Sequence, residues 1–203
     1  MLFRSKELHG EPCIEMKDPL IKKRMIATTR MFGKPVFELN ALKEAIATYT
    51  TRAAEKLRRQ SGAAGVINVF VVTNDYTNNN YSYNPTTKGL YTTLPIATSL
   101  TNELIAHAVP LAEQLYKKGS RYLKAGVMLS GIVPDDSVQY NLFEPPAHNN
   151  MRSLMSAIDN VNFSMRDDVV KFATSGTRKN WKMRQEYRSK RHTTRWEELY
   201  EVK

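Results

Sequence analysis

Over residues 24–132 the apolar positions recur first at every second residue, then at every third or fourth, and the pattern returns later to a clean alternation. That succession constrains the fold more than any other feature of the chain. Met25–Phe32 is rich in apolar and β-branched residues and closes at Gly33 and Pro35, which predicts a strand with Arg24, Ile26, Thr28 and Arg30 on one face. From Asn40, a good N-cap, the residues Leu42, Ile46, Tyr49, Ala53 and Leu57 define a helical face. Lys43, Glu44, Arg52, Lys56 and Arg59 are left for water. Val66–Val72, after a turn at Ser61-Gly62, predicts a second strand; residues 74–88 have loop composition; Leu90–Leu94 predicts a third strand ending at Pro95. A second helix is expected from Thr98 or Ser99, with Leu104, Ala108, Leu111, Ala112 and Leu115 on one side and a kink at Pro110. Tyr122–Leu129 alternates, with Leu123, Ala125, Val127 and Leu129 toward a core and Lys124 on the opposite face.

The expected fold class is therefore α+β: a split βαββαβ four-stranded sheet with two helices on one face, followed by a small α+β C-terminal unit. The other face of the sheet is left open. Arg24, Arg30 and Lys124, with Asn68, are expected there, spread along strands rather than gathered in a pocket, as suits a nucleic-acid backbone; the alternative is an ordinary solvated surface. Thirty Lys and Arg against twenty Asp and Glu give a net charge of +10, which points to a polyanionic partner.

The usual chemical constellations are missing. His9, His107, His148 and His192 are scattered without metal-ligand spacing, there is no glycine-rich phosphate loop, and the neighbouring acids Asp135-Asp136 and Asp167-Asp168 read as solubilising or capping residues. No catalytic residue, metal ligand or cofactor is expected. The single cysteine, Cys13, excludes an intramolecular disulfide and reads as a small packed residue. No apolar run approaches the roughly 20 residues of a membrane span, and the N-terminus lacks the pattern of a secretory signal.

Residues 134–150 carry three prolines and little periodicity and read as a linker. Within it, Gln139-Tyr-Asn-Leu-Phe143 has the character of a peptide anchor: Leu142 and Phe143 would fill a partner's hydrophobic pocket while Gln139 makes polar contacts at its rim. The alternative is that the pair folds back on its own domain. In residues 151–203, Met151, Leu154, Met155, Ile158 and Val161 form a helical stripe and Val169–Ala173 suggests a strand. The C-terminal stretch interleaves Arg and Lys with Trp181, Tyr187 and Trp196, a pattern suited either to binding a single strand or to a tail packed on a neighbouring surface.

Several of these segments together carry a family likeness. Gly10-Glu-Pro-Cys13, Thr29-Arg-Met-Phe-Gly33, Arg52-Ala-Ala-Glu-Lys-Leu-Arg58 and Arg121-Tyr-Leu-Lys-Ala-Gly-Val-Met-Leu129 resemble the C-terminal part of UmuC-type Y-family translesion DNA polymerases, nearly end to end. Gln139–Phe143 is similar to the family's clamp-binding Gln-Leu-Asn-Leu-Phe, with Tyr140 in place of Leu. Phe172–Gly176, Trp181–Arg184 and His192–Arg195 resemble the small domain that follows.

The resemblance implies a lead-in segment over 1–23, a DNA-binding little finger over 24–133, a linker with a clamp-binding motif over 134–150 and a small basic domain over 151–203. It implies primer–template DNA, the bacterial sliding clamp and a UmuD-type accessory subunit as partners, in the cytoplasm and in the SOS response. Arg24, Arg30, Arg121 and Lys124 are the expected phosphate contacts, with Thr28 and Asn68 as further hydrogen-bonding candidates. The family's metal-binding palm would lie N-terminal to residue 1, so this chain is expected to be non-catalytic. Two rival readings are a protein-interaction module for the clamp and the accessory subunit with negligible DNA binding, and an independent nucleic-acid enzyme, which would need a carboxylate or histidine cluster.

Overall fold

The structure, a computed structural model, describes residues 6, 8–10, 13, 22–74, 85–139, 148–165, 168–177, 179–183, 187–193 and 195–200. Strand β1 (Ile26–Val36), helix α1 (Leu39–Arg59), strands β2 (Gly62–Thr73) and β3 (Thr86–Thr98), helix α2 (Thr101–Leu115) and strand β4 (Tyr122–Pro134) follow in the expected order. Helix α3 (His148–Ser164) comes next, with short 3-10 turns at Asp135–Ser137, Ala173–Ser175 and Trp196–Glu198. The strands form one antiparallel sheet in the order β1-β4-β2-β3. Each βαβ crossover is thus split by an inserted strand: β4 lies between β1 and β2, and β2 lies between β3 and β4.

One face of the sheet is the core. Ile67, Val69 and Val71 of β2 and Ala125, Val127 and Leu129 of β4 are fully buried there, against Leu42, Ala45, Ile46, Ala53 and Leu57 of α1 and Leu104, Ala108 and Ala112 of α2. Burying each of the larger side chains contributes about 1.5–3 kcal/mol, which fixes both helices on this face. The end of α2 is closed by Tyr122, whose hydroxyl accepts from the Lys117 N–H (2.7 Å) and donates to the Leu115 carbonyl (3.2 Å).

Both edge strands run past their expected stops. β1 continues through Gly33 and Pro35 with a register shift between Met31 and Val36, and β3 continues through Pro95, opposite a shift between Ala64 and Val66. A proline costs an edge strand little, because its missing N–H is not needed by a second neighbour. A further shift, between Val72 and Thr73, brings Tyr122 rather than Leu123 into the core. Helix α1 starts at Leu39 with Glu38 as its cap and no side-chain cap bond, so Asn40 lies in the first turn, and α2 starts at Thr101 behind Leu100.

The C-terminal residues dock on β1 and α1. Trp181 is 6% exposed and meets Phe32 and Tyr49 edge-on at centroid distances of 6.2 and 5.7 Å, while its carbonyl accepts the Gly33 N–H at 3.1 Å. Gly176, at φ 64°, packs so closely on α1 that a Cβ there would lie 2.6 Å from the Glu44 carboxyl carbon. The strand expected over Val169–Ala173 does not form. Asn162 instead exchanges hydrogen bonds with the Val170 backbone, and a 3-10 turn follows at Ala173–Ser175. Of the acids expected to be solubilising or capping, Asp168 pairs with Arg52 at 2.7 Å and Asp135 with Arg152 at 3.2 Å, Asp136 is exposed, and Asp167 lies outside the described residues.

Candidate nucleic-acid interface

The face of the sheet turned away from the helices is built by strand register. Residues directly opposite one another on neighbouring strands share a face, so the ladders place Met31, Lys124, Val72 and Thr87 in one row across the sheet. The next rows are Thr29, Gly126, Phe70 and Gly89, then Ala27, Met128, Asn68 and Tyr91, then Ser130, Val66 and Thr93. All of these are half-buried or exposed except Gly126. Gly126 lies under the Phe70 ring, and a Cβ there would sit 2.4 Å from Phe70 Cζ. Tyr91 stands 70% exposed beside it.

This face is an open platform whose polar groups are spread along the strands. Lys124 is its charged donor, and Asn68, Thr29, Ser130, Thr87 and Thr93 add amide and hydroxyl groups, with the Thr29 hydroxyl donating to the Ala125 carbonyl at 3.2 Å. Such groups can hold a phosphate backbone, and Phe70 and Tyr91 can take a base or sugar face.

The structure does not gather all the expected contact residues on this platform. Lys124 and Asn68 lie on it. Thr28 and Arg30 point to the helix side, because Ile26 and Phe32 have the same parity along β1 and are drawn into the core. Thr28 is 8% exposed and accepts a hydrogen bond from Lys56 Nζ of α1 at 3.5 Å. Arg30 is exposed and lies in a cleft shared with Tyr49 and Trp181. Burial drives the Tyr49 phenol well above its ordinary pKa, and the positive charge of Arg30 pulls it the other way. Arg24, exposed, precedes β1, while half-buried Arg121 precedes β4 with its carbonyl accepting the Asn74 N–H at 3.0 Å; the two sit at opposite ends of the β1–β4 ladder. Gln139 is exposed beyond the end of β4, and Leu142 and Phe143 lie outside the described residues.

Sequence reasoning missed Phe70 and Tyr91. The Val66–Val72 run is apolar at every position except Asn68, which hides the alternation, although Phe70 falls between Val69 and Val71 and so must face the other way. Among the described residues no three His, Cys, Asp or Glu side chains come together as metal ligands would, and no helix is long and apolar enough to cross a membrane.

Comparison with known proteins gives two family matches. Residues 23–142 match the impB/mucB/samB family C-terminal domain, and residues 152–202 match a domain of unknown function (DUF4113). Protein UmuC of Salmonella typhimurium is 33% identical over 98% of this chain and 46% of its own length, and Protein ImpB of Salmonella typhimurium is 32% identical over 96% and 45%. Protein MucB of Escherichia coli is 30% identical over 96% and 45%. The chain thus spans about half the length of these relatives. Among solved structures, an insertion ternary complex of Dbh DNA polymerase overlaps 65% of this chain and 35% of that one at 15% identity and a TM-score of 0.40.

Proposed function

The chain belongs to the impB/mucB/samB family, and from that membership we propose that it serves as the DNA-holding C-terminal half of a UmuC-type translesion DNA polymerase of the SOS response, acting in the cytoplasm. In this reading the sheet is a little finger whose open face carries primer–template DNA. The observation that supports it most is the platform itself: an open, helix-free face with Lys124, Asn68 and a set of hydroxyls arranged along strands. Contacts of that kind position a backbone without reading bases, which suits a polymerase that must pass damaged and undamaged template alike. Arg24 and Arg121 would extend the contact toward the two ends of the β1–β4 ladder. Gln139, Leu142 and Phe143 would hold the sliding clamp, and a UmuD-type accessory subunit would complete the assembly. The role assigned to this chain is binding; nucleotidyl transfer would fall to the palm of the whole polymerase.

Lys124→Glu tests the platform. Binding to a fluorescent primer–template at about 0.1 M salt should weaken about tenfold, and the slope of log affinity against log salt should fall by about one, with the melting temperature unchanged. Unchanged affinity and slope would reject the open face as the DNA-holding surface.

A second reading draws on the apolar share of the same face, where Met31, Phe70, Val72 and Met128 lie close together. Under it the chain is a protein-interaction module for the clamp and the accessory subunit, with negligible DNA binding of its own. An unmodified chain that binds the clamp and fails to bind primer–template would select that reading.

A further inference from the structure

The helix-covered side of the molecule holds a second concentration of charge. A cleft of ≈ 640 Å³ opens between β1, α1 and the docked C-terminal residues, lined among the described residues by Arg30, Arg52, Lys56, Arg59, Lys179 and Lys182 against the two acids Glu55 and Asp168. A neighbouring cleft of ≈ 370 Å³ shares Lys56 and Arg59 and adds Lys23, so the two form one trough along the outer side of β1, an edge strand.

The two acids are already engaged. Glu55 pairs with Arg52 at 3.2 Å and Arg59 at 2.7 Å, and Asp168 pairs with Arg52 at 2.7 Å and Lys179 at 3.7 Å. Arg30, Lys56 and Lys182 are exposed and make no ion pair among the described residues. Burial chiefly presses the Lys179 ammonium below its ordinary pKa, against the pull of Asp168 and with smaller pushes from Lys171, Arg52 and Lys182. The same cleft is lined by Tyr49 and Trp181, each more than nine-tenths buried, whose hydroxyl and indole N–H have no hydrogen-bond partner among the described residues. The exposed cations without a counter-charge, rather than these buried donors, are what an anion entering the cleft would meet.

We propose that this trough binds the phosphodiester backbone of a single nucleic-acid strand, on the side of the sheet opposite the open platform and with the C-terminal unit as one wall. A protein partner fits less well. Protein interfaces are anchored by large apolar side chains, and among the described residues lining the trough the well-exposed large apolar side chains are two methionines, Met25 and Met183, with no exposed aromatic ring. The walls also favour one strand over a duplex, which meets a flat face more readily than a cleft. Because Trp181 and Tyr49 offer no exposed ring face, recognition is through phosphates and without base preference.

The test uses the full chain and a fluorescent oligothymidylate. Lys56→Glu combined with Lys182→Glu should weaken binding at least about tenfold at about 0.1 M salt and lower the salt slope by about 1.4, two single-strand contacts' worth, with an unchanged melting temperature. Lys88→Glu combined with Lys118→Glu makes the same change in net charge away from the trough and should leave most of the affinity. Equal losses in the two pairs would reduce the effect to diffuse attraction and overturn the proposal. So would undiminished binding by the trough variant, or a trough that captured a polyglutamate peptide in preference to the oligonucleotide.

Discussion

Gly126 and Phe70 set the geometry of the open face at the level of single atoms. The ring lies over the glycine, and an added Cβ would stand 2.4 and 2.7 Å from Phe70 carbons and 2.8 Å from Thr29 Cβ. Gly126→Ala must therefore lift the ring or bend β4, at a cost of about 1–3 kcal/mol, seen as a lower urea midpoint. A midpoint that did not move would show that the ring is free to leave its seat. Tyr49 predicts the opposite sign. Its buried hydroxyl has no partner among the described residues, so Tyr49→Phe should leave stability at neutral pH unchanged or raise it by about 1 kcal/mol. The pH dependence follows from the raised pKa. Up to about pH 10 both folded and unfolded chains keep the phenol protonated; above it the unfolded chain loses the proton first, so stability falls as pH rises. Tyr49→Phe should remove that part of the alkaline loss in thermal melts taken between about pH 9 and 11. A steeper alkaline loss in the variant would contradict the burial argument.

At the level of elements, docking of the helices depends on a few polar ties as well as on the core. Arg58, near the end of α1, forms a two-pronged pair with Asp159 of α3 at 2.6 and 2.7 Å and also reaches the Ser99 carbonyl and the Thr101 hydroxyl at the start of α2, both at 2.8 Å. One guanidinium thus fixes three helices. Arg58→Met would keep the stem, lose the fork and strand a half-buried carboxylate, costing about 1–3 kcal/mol. Hydrogen exchange over α3 should then accelerate more than over α1; uniform behaviour would mean that α3 is held by something else.

Elements were also where the sequence was most readable. The recurrence Leu42, Ile46, Tyr49, Ala53, Leu57 is the buried face of α1, and Ala125, Val127 and Leu129 form the buried row of β4. The failures have specific causes. Edge position let β1 and β3 run through prolines, a register shift exchanged Tyr122 for Leu123, and core demand at Ile26 and Phe32 turned Arg30 away from the open face. The pairing of Arg58 with Asp159 joins positions 101 residues apart, a distance over which periodicity carries no information.

At the scale of the whole molecule, one chain has three proposed places of contact: platform, trough and the 139–143 segment. The last rests on sequence. Substituting Leu142→Ala with Phe143→Ala should abolish binding to a bacterial sliding clamp in titration calorimetry while leaving DNA affinity intact, because two apolar anchors dominate such a motif. Clamp binding that survived the pair would place the anchor elsewhere. The central claim is that this chain holds DNA by its phosphates, and the salt dependence of primer–template binding by the unmodified chain tests it most directly. With about four phosphate contacts, affinity should fall by about a hundredfold between about 50 and 200 mM salt. Affinity that stayed flat over that range would contradict the account.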